Sequence, residues 1–107
     1  MYWNVQKASD RLLVSLKTAN LDASMTSKFR EEILPLIEGD IPVVIDMGEV
    51  KFVDSSGLGA LCSIAEKSTP VYLRITGVTE RLGKALSKVP ALAPFWMPRP
   101  TLAVRTA

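Results

Sequence analysis

The sequence of 107 residues has no histidine and only one cysteine, Cys62. Without histidine a Ser-His-Asp catalytic triad is excluded. A zinc or non-haem iron site is disfavoured, because these metals are usually held by histidine or by several cysteines. A single cysteine cannot form an internal disulfide bond, which favours the reducing environment of the cytoplasm. We therefore expect a cytoplasmic protein that holds no metal or other cofactor.

The sequence also lacks several patterns that mark membrane, nucleic-acid or nucleotide-binding proteins. No stretch approaches the roughly 18 consecutive apolar residues of a membrane helix, and the N-terminal residues lack the order of a signal peptide. Basic and aromatic residues are not interleaved as in nucleic-acid-binding segments. There is no Gly-Lys-Ser/Thr phosphate loop, and the string Gly57-Leu58-Gly59 lacks the third glycine of a dinucleotide-binding fingerprint. A membrane span, a direct nucleic-acid partner and a nucleotide-binding or hydrolytic enzyme are therefore all disfavoured.

The composition that remains is that of one ordinary globular domain spanning residues 1–107, with 48% hydrophobic and 22% charged residues. The charge is unevenly distributed along the chain. Residues 1–68 carry seven Lys/Arg against ten Asp/Glu, whereas residues 69–107 carry six against one. This asymmetry could present two electrostatic faces to a partner. A solvated basic helix and tail would explain it equally well.

The most informative stretch of the sequence runs from Ile41 to Leu61. The apolar, β-branched run Ile41–Met47 predicts a buried central strand, parallel to its neighbours. A helix packed on the sheet is predicted further on by the spacing of apolar residues at Leu58, Leu61 and Ala65, with Ile64 nearby. Between the two lies Asp54-Ser55-Ser56-Gly57, at the expected start of that helix. A helix start exposes backbone N–H groups and can accommodate an anion, so a serine there could carry a phosphate.

Around this stretch the hydrophobic pattern alternates strands with helices. Further strands are predicted at residues 2–7, 11–17 and 71–75. Three helices are predicted: from Asp22 to Ile33 or Leu34, from about Ser56 to Lys67, and a short one capped by Thr79. Asp22 or Ser24 is expected to cap the first helix and Pro35 to end it. The expected architecture is a single α/β domain, with a four- to five-stranded mixed sheet and helices packed mainly on one face.

The connecting segments carry three further expectations. A turn into the central strand is expected at residues 38–40. The loop after that strand is expected to be anchored by three apolar residues: Val50, Phe52 and Val53. Four prolines lie between Pro90 and Pro100, so regular structure is not expected in the segment 90–107. Two aromatic residues of that segment are expected to cover the core in strand or extended form: Phe95 and Trp96.

From residue chemistry alone, Asp54-Ser55-Ser56-Gly57 is best explained as helix caps and a turn glycine. The wider string is more specific. Val44-Ile45-Asp46 followed by Val53–Leu61 resembles the signature of the STAS domain, in particular that of the bacterial anti-sigma factor antagonists. Leu21-Asp22-Ala23 resembles the loop before the first helix of that family, and Gly77-Val78 the start of its third helix. The resemblance covers roughly residues 10–89, which we take as the domain core.

The resemblance implies a non-enzymatic switch protein, acting as a monomer or weak dimer. In this family a partner serine kinase, which is itself the anti-sigma factor, phosphorylates the second serine of the motif. That serine corresponds to Ser56, with Ser55 the less favoured acceptor. The unphosphorylated form would bind the kinase, phosphorylation would release it, and a metal-dependent phosphatase would restore the first state. The expected partner-binding surface consists of Asp22, Asp54, Ser55, Gly57 and Leu58.

The sequence departs from the family pattern in two places that bear on partners. Ala19-Asn20 stands where family members usually have a glycine followed by an acidic residue. The proline-rich segment from Pro90 replaces the usual last helix and is expected to leave that face open. An alternative function is a STAS subunit that scaffolds a membrane transporter or a lipid-trafficking ATPase without being phosphorylated. The presence of both Ser55 and Ser56 favours the switch, because the transporter-associated type often lacks the acceptor serine.

Overall fold

The computed structural model describes residues 2–38, 41–68 and 73–96. These ranges contain six strands: β1 (Trp3–Lys7), β2 (Leu12–Leu16), β3 (Asn20–Leu21), β4 (Val43–Asp46), β5 (Phe52–Val53) and β6 (Leu73–Thr76). Three α-helices accompany them: α1 (Thr26–Ile33), α2 (Ser55–Lys67) and α3 (Glu80–Leu86). Two short 3₁₀ helices span Leu34–Leu36 and Pro90–Phe95.

Four of the strands form one mixed sheet in the order β1-β2-β4-β6. β1 runs antiparallel to β2, whereas β2, β4 and β6 are parallel to one another. The predicted central strand is confirmed, since β4 has a hydrogen-bonded neighbour on each side. The predicted α/β class and the mixed sheet are confirmed as well. The short strands β3 and β5 form a separate parallel pair that the sequence pattern did not predict.

The helices cover one face of the four-stranded sheet. Alternate residues of the three parallel strands are buried there: Leu12, Val14, Leu16, Val43, Ile45, Leu73 and Ile75. The residues between them are half-buried or exposed, as the period of two along a strand requires. From α1, Phe29 packs edge-on against Trp3 of β1, with ring centroids 5.3 Å apart. Aromatic pairs favour this edge-to-face arrangement over face-to-face stacking.

Helix α1 ends where the sequence predicted but begins later. It stops at Ile33, and Pro35 lies in the 3₁₀ turn that follows, because proline cannot continue the backbone hydrogen bonds of an α-helix. Its first residue is Thr26, and Met25 occupies the capping position without a side-chain hydrogen bond. The prediction that Asp22 or Ser24 caps this helix is therefore wrong. The Asp22 carboxylate accepts hydrogen bonds from Ser24 instead, forming a local turn that competes with capping.

Residues 90–96 are a folded part of the core rather than an open edge. Residues Pro90–Phe95 form a 3₁₀ helix that contacts α2 and β6. Leu92, Phe95 and Trp96 are all buried. The expectation that Phe95 and Trp96 cover the core is confirmed, and Trp96 is extended as expected, whereas Phe95 ends the 3₁₀ helix. The expectation of an open face was wrong for residues 90–96, because these three side chains are buried there. The predicted turn residues Gly39–Asp40, the start of the predicted strand at Val71-Tyr72, and residues 97–107 lie outside the described residues. Among the helices of the described ranges, none has the length and apolar character that crossing a membrane requires.

Candidate functional site

The pairing of β3 with β5 brings two loops of the chain together. Leu21 is in register with Val53, and the Asp54 N–H donates to the Leu21 carbonyl oxygen at 3.2 Å. Asp22 and Asp54, the residues that follow these strands, therefore lie side by side. A two-stranded parallel sheet of their own, separate from the four-stranded sheet, holds the two loops in place.

Asp54 uses both carboxylate oxygens within the protein. Its Oδ1 accepts a hydrogen bond from the Gly57 N–H at 2.9 Å, which makes Asp54 the N-cap of α2. Its Oδ2 accepts one from the Ala23 N–H at 3.3 Å, in the loop that follows β3. An N-cap of this kind contributes about 0.5–2 kcal/mol to stability. Asp54 thus fixes the start of α2 to the loop that carries Asp22.

The two serines occupy the first and second positions of α2. The helix begins at Ser55, one residue earlier than the sequence predicted. Ser55 is exposed and Ser56 is half-buried. Neither hydroxyl hydrogen-bonds to another residue within the described ranges, so both oxygens are available for chemistry. The backbone N–H groups of a first helical turn lack intrahelical partners, and this end of the helix dipole favours a negative charge.

Gly57 is required for the close approach of α2 to β3. A Cβ atom built on Gly57 would collide with the Leu21 carbonyl oxygen and would lie 2.7 Å from Val53 Cγ1. Gly57 is buried, and Leu58 beside it is half-buried against the core. Their contact with a partner stays a prediction. Within the fold, Gly57 sets how near the serines lie to the Asp22 loop.

Asp22 and Glu49, an acidic residue of the loop between β4 and β5, both form contacts with nearby side chains. Asp22 Oδ1 accepts hydrogen bonds from the Ser24 N–H at 3.0 Å and from the Ser24 hydroxyl at 2.5 Å. Glu49 forms an ion pair with Lys17 at 3.3 Å, and both side chains are exposed. Such an exposed pair adds little stability. Asp54 caps the helix that carries the serines and also binds the loop of Asp22, so both of these carboxylates lie beside the start of that helix.

Phe52 is the residue of this region that the sequence analysis placed wrongly. It was expected to anchor the loop, but its side chain is 54% exposed, whereas Val50 is buried. The Arg81 guanidinium of α3 lies 5.0 Å from the centroid of its ring. Strand alternation could have revealed the exposure. Val53 packs inward beside Gly57, so its neighbour on the strand must point away.

The sequence matches the STAS domain model over residues 2–100. The chain therefore belongs to the STAS domain family, as the Asp54–Gly57 motif and its neighbours had indicated. Comparison with curated protein sequences gave no significant match.

Two solved structures share the fold at low sequence identity. The anti-sigma factor antagonist SpoIIAA in its unphosphorylated form aligns with a TM-score of 0.63 and 18% identity, covering 90% of this chain and 87% of SpoIIAA. The murine anion transporter Slc26a9 (Solute Carrier 26 family member A9) in the inward-facing state aligns with a TM-score of 0.64 and 17% identity. That alignment covers 81% of this chain, which spans only 15% of the transporter's length. Both similarities concern the fold.

Proposed function

We propose that this STAS domain is an anti-sigma factor antagonist, a non-enzymatic switch controlled by phosphorylation of Ser56. The observation that carries the proposal is the state of the Ser56 side chain. It is partly accessible, in the first turn of α2, and its hydroxyl makes no hydrogen bond to another residue in the described part of the chain. The likeness to SpoIIAA over 90% of this chain supports the same reading. The unphosphorylated form binds a cytoplasmic serine kinase that is also the anti-sigma factor, and a metal-dependent phosphatase resets the switch.

The charges around Ser56 explain how phosphate would act. A phosphoserine adds about −1.5 to −2 charge at neutral pH. The N-terminus of α2 offsets part of that charge, so the domain stays folded. Asp54 and Asp22 lie on the same edge, and a kinase surface matched to a neutral hydroxyl would then face a concentrated negative charge. Repulsion at the surface releases the partner with little change in the fold.

A second candidate is a STAS scaffold within a membrane transporter or a lipid-trafficking ATPase complex, which functions without phosphorylation. The structural similarity to Slc26a9 favours it. The two candidates differ in a measurable way. The switch requires transfer of phosphate from ATP to Ser56 and loss of binding afterwards, whereas the scaffold requires neither.

The deciding experiment uses the cognate kinase, purified from the native cell on immobilised Ser56→Ala protein. Incubation of the kinase with the wild-type chain and ATP, followed by peptide mass spectrometry, should place phosphate on Ser56. Ser55→Ala should be labelled normally and Ser56→Ala should not be labelled. Phosphate mainly on Ser55, or undiminished labelling of Ser56→Ala, would contradict the assignment.

Calorimetric titration then tests the repulsion mechanism. Ser56→Ala should keep the affinity of the wild-type chain for the kinase, because a small neutral side chain adds no repulsion. Ser56→Asp should bind more weakly while remaining folded. Equal affinities of the two variants would exclude repulsion as the release mechanism.

A further inference from the structure

The serine motif indicates where this domain would be phosphorylated, but it does not indicate which of its surface residues supply most of the energy for binding a partner. Among the described residues, the large hydrophobic side chains that are more than half exposed are Tyr2 and Phe52, each at 54%. Exposed apolar residues are common singly on protein surfaces. Phe52 differs because the fold enforces its exposure, and because it lies four residues before Ser56 in the chain.

The backbone of Phe52 is held in place, so its ring cannot turn into the core. Its N–H donates to the Ala19 carbonyl oxygen at 3.0 Å, and it is paired with Asn20 across β3 and β5. The next residue, Val53, packs inward against the start of α2. Side chains alternate along a strand, and the ring of Phe52 is therefore directed outward.

One face of the exposed ring is occupied by a cation. The Arg81 guanidinium lies 5.0 Å from the ring centroid, and α3, which carries it, packs against β5. Arg81 and Lys84 are both exposed, and their spacing of three residues places them on one side of α3 as a short basic stripe; the exposed Lys88 follows just after the helix ends. The ring of Phe52 thus joins a basic stripe on α3 to the edge that carries Asp22 and Asp54.

The distance to the serine allows one partner to contact both features. Four residues of extended chain span at most about 14 Å. An interface of standard size covers about 800 Å² on each protein, which is about 30 Å across. An interface of this size is therefore wide enough to include both Ser56 and Phe52, and Arg81 lies against the ring of Phe52.

We infer that Phe52, stacked by Arg81, is the anchor by which this domain binds its serine kinase. The kinase surface that fits it has an apolar recess for the ring, bordered by Asp or Glu side chains that pair with Arg81 and the stripe. Aromatic and arginine side chains are enriched among interface residues that carry most of the binding energy. Asp22 and Asp54 near the serines and the basic residues of α3 carry opposite charges, and this difference also orients the partner. This inference rests on the function proposed above.

The test is the steady-state phosphorylation of full-length chains by the purified kinase that phosphorylates the wild-type chain on Ser56. Phe52→Ala should raise the KM for the chain by about tenfold or more and leave kcat unchanged, because the anchor is used equally before and during phosphate transfer. Tyr2→Ala is the matched control. Tyr2 has the same exposure and lies at the carboxyl end of β2, where its carbonyl oxygen accepts a hydrogen bond from the Lys17 N–H, but it takes no part in the contact between Phe52 and Arg81. The KM of Tyr2→Ala should therefore stay that of the wild type.

Charge reversal at Arg81 tests the inference without altering β5. Arg81→Glu should raise KM at least as much as Phe52→Ala, because it removes the stacked cation and repels the acidic border. Arg11→Glu makes the same change at the far end of β2 and should leave KM unaltered. Arg81→Glu therefore decides the question even if Phe52→Ala fails to fold.

The outcomes separate this inference from the function on which it rests. A wild-type chain that no kinase phosphorylates on Ser56 overturns the proposed function, and with it this partner. Normal phosphorylation of the wild type, with an unchanged KM for Phe52→Ala or Arg81→Glu, overturns only the anchor. Equal increases in KM for Phe52→Ala and Tyr2→Ala would also overturn it, since they would reflect general surface hydrophobicity.

Discussion

The two glycines of the α2 motif offer a matched test of how the site is built. Alanine is favoured over glycine in a helix by up to about 1 kcal/mol. A Cβ atom at Gly59 would meet no atom within 4 Å, so Gly59→Ala should gain that stability. A Cβ atom at Gly57 would collide with the Leu21 carbonyl oxygen. That carbonyl already accepts the Asp54 N–H and cannot move away without breaking the β3–β5 connection.

The magnitudes follow from these contacts. Overpacking a well-filled interior costs about 1–3 kcal/mol, and a collision with fixed backbone falls at the upper end. After the gain in helix propensity, Gly57→Ala should lower the free energy of unfolding by about 2 kcal/mol. One kcal/mol corresponds to about 4 °C in a domain of this size. Gly59→Ala should therefore raise Tm by about 4 °C and Gly57→Ala should lower it by about 8 °C.

Scanning calorimetry of the two variants beside the wild type measures both shifts, and urea denaturation gives the free energies independently. Opposite signs are the expected result. If Gly57→Ala were as stabilising as Gly59→Ala, α2 could not approach β3 as closely as described. The argument that Gly57 positions the serines beside the Asp22 loop would then fail.

Two further predictions concern the loop and the C-terminal segment. Asp22→Asn should leave Tm unchanged, because an amide oxygen can accept both hydrogen bonds from Ser24, yet it should slow phosphorylation of Ser56 or weaken kinase affinity through the lost charge. Wild-type behaviour in melting, phosphorylation and binding would reduce Asp22 to a turn-forming residue. Leu92→Ala should lower the free energy of unfolding by about 2–5 kcal/mol, because Leu92 is fully buried. Leu36→Ala, in the other 3₁₀ helix, is the control, and it should cost less because Leu36 is only half-buried. If both variants lost the same free energy of unfolding, the conclusion that residues 90–96 complete the core would lose its support.

The sequence by itself predicted the strands and helices whose hydrophobic residues recur at a regular spacing. The apolar run from Ile41 and the helical spacing of Leu58, Leu61 and Ala65 indicate which side chains avoid water. That pattern predicts a strand and a helix without knowledge of their neighbours. The end of α1 before Pro35 was equally readable, because proline acts on the backbone locally. The Asp54–Gly57 string and its surroundings likewise indicated the family and the serine that the proposed switch uses.

Only the tertiary structure decided how the site is assembled. Strands β3 and β5 have two residues each, too few to show a period, and they exist because each pairs with the other. The capping of α1 depended on whether the Asp22 carboxylate met a helix N–H or Ser24, a competition set by local backbone geometry. The exposure of Phe52 likewise depends on which side of β5 meets α2. A hydrophobic side chain favours burial, but the packing of the other elements determines whether a buried position exists for it.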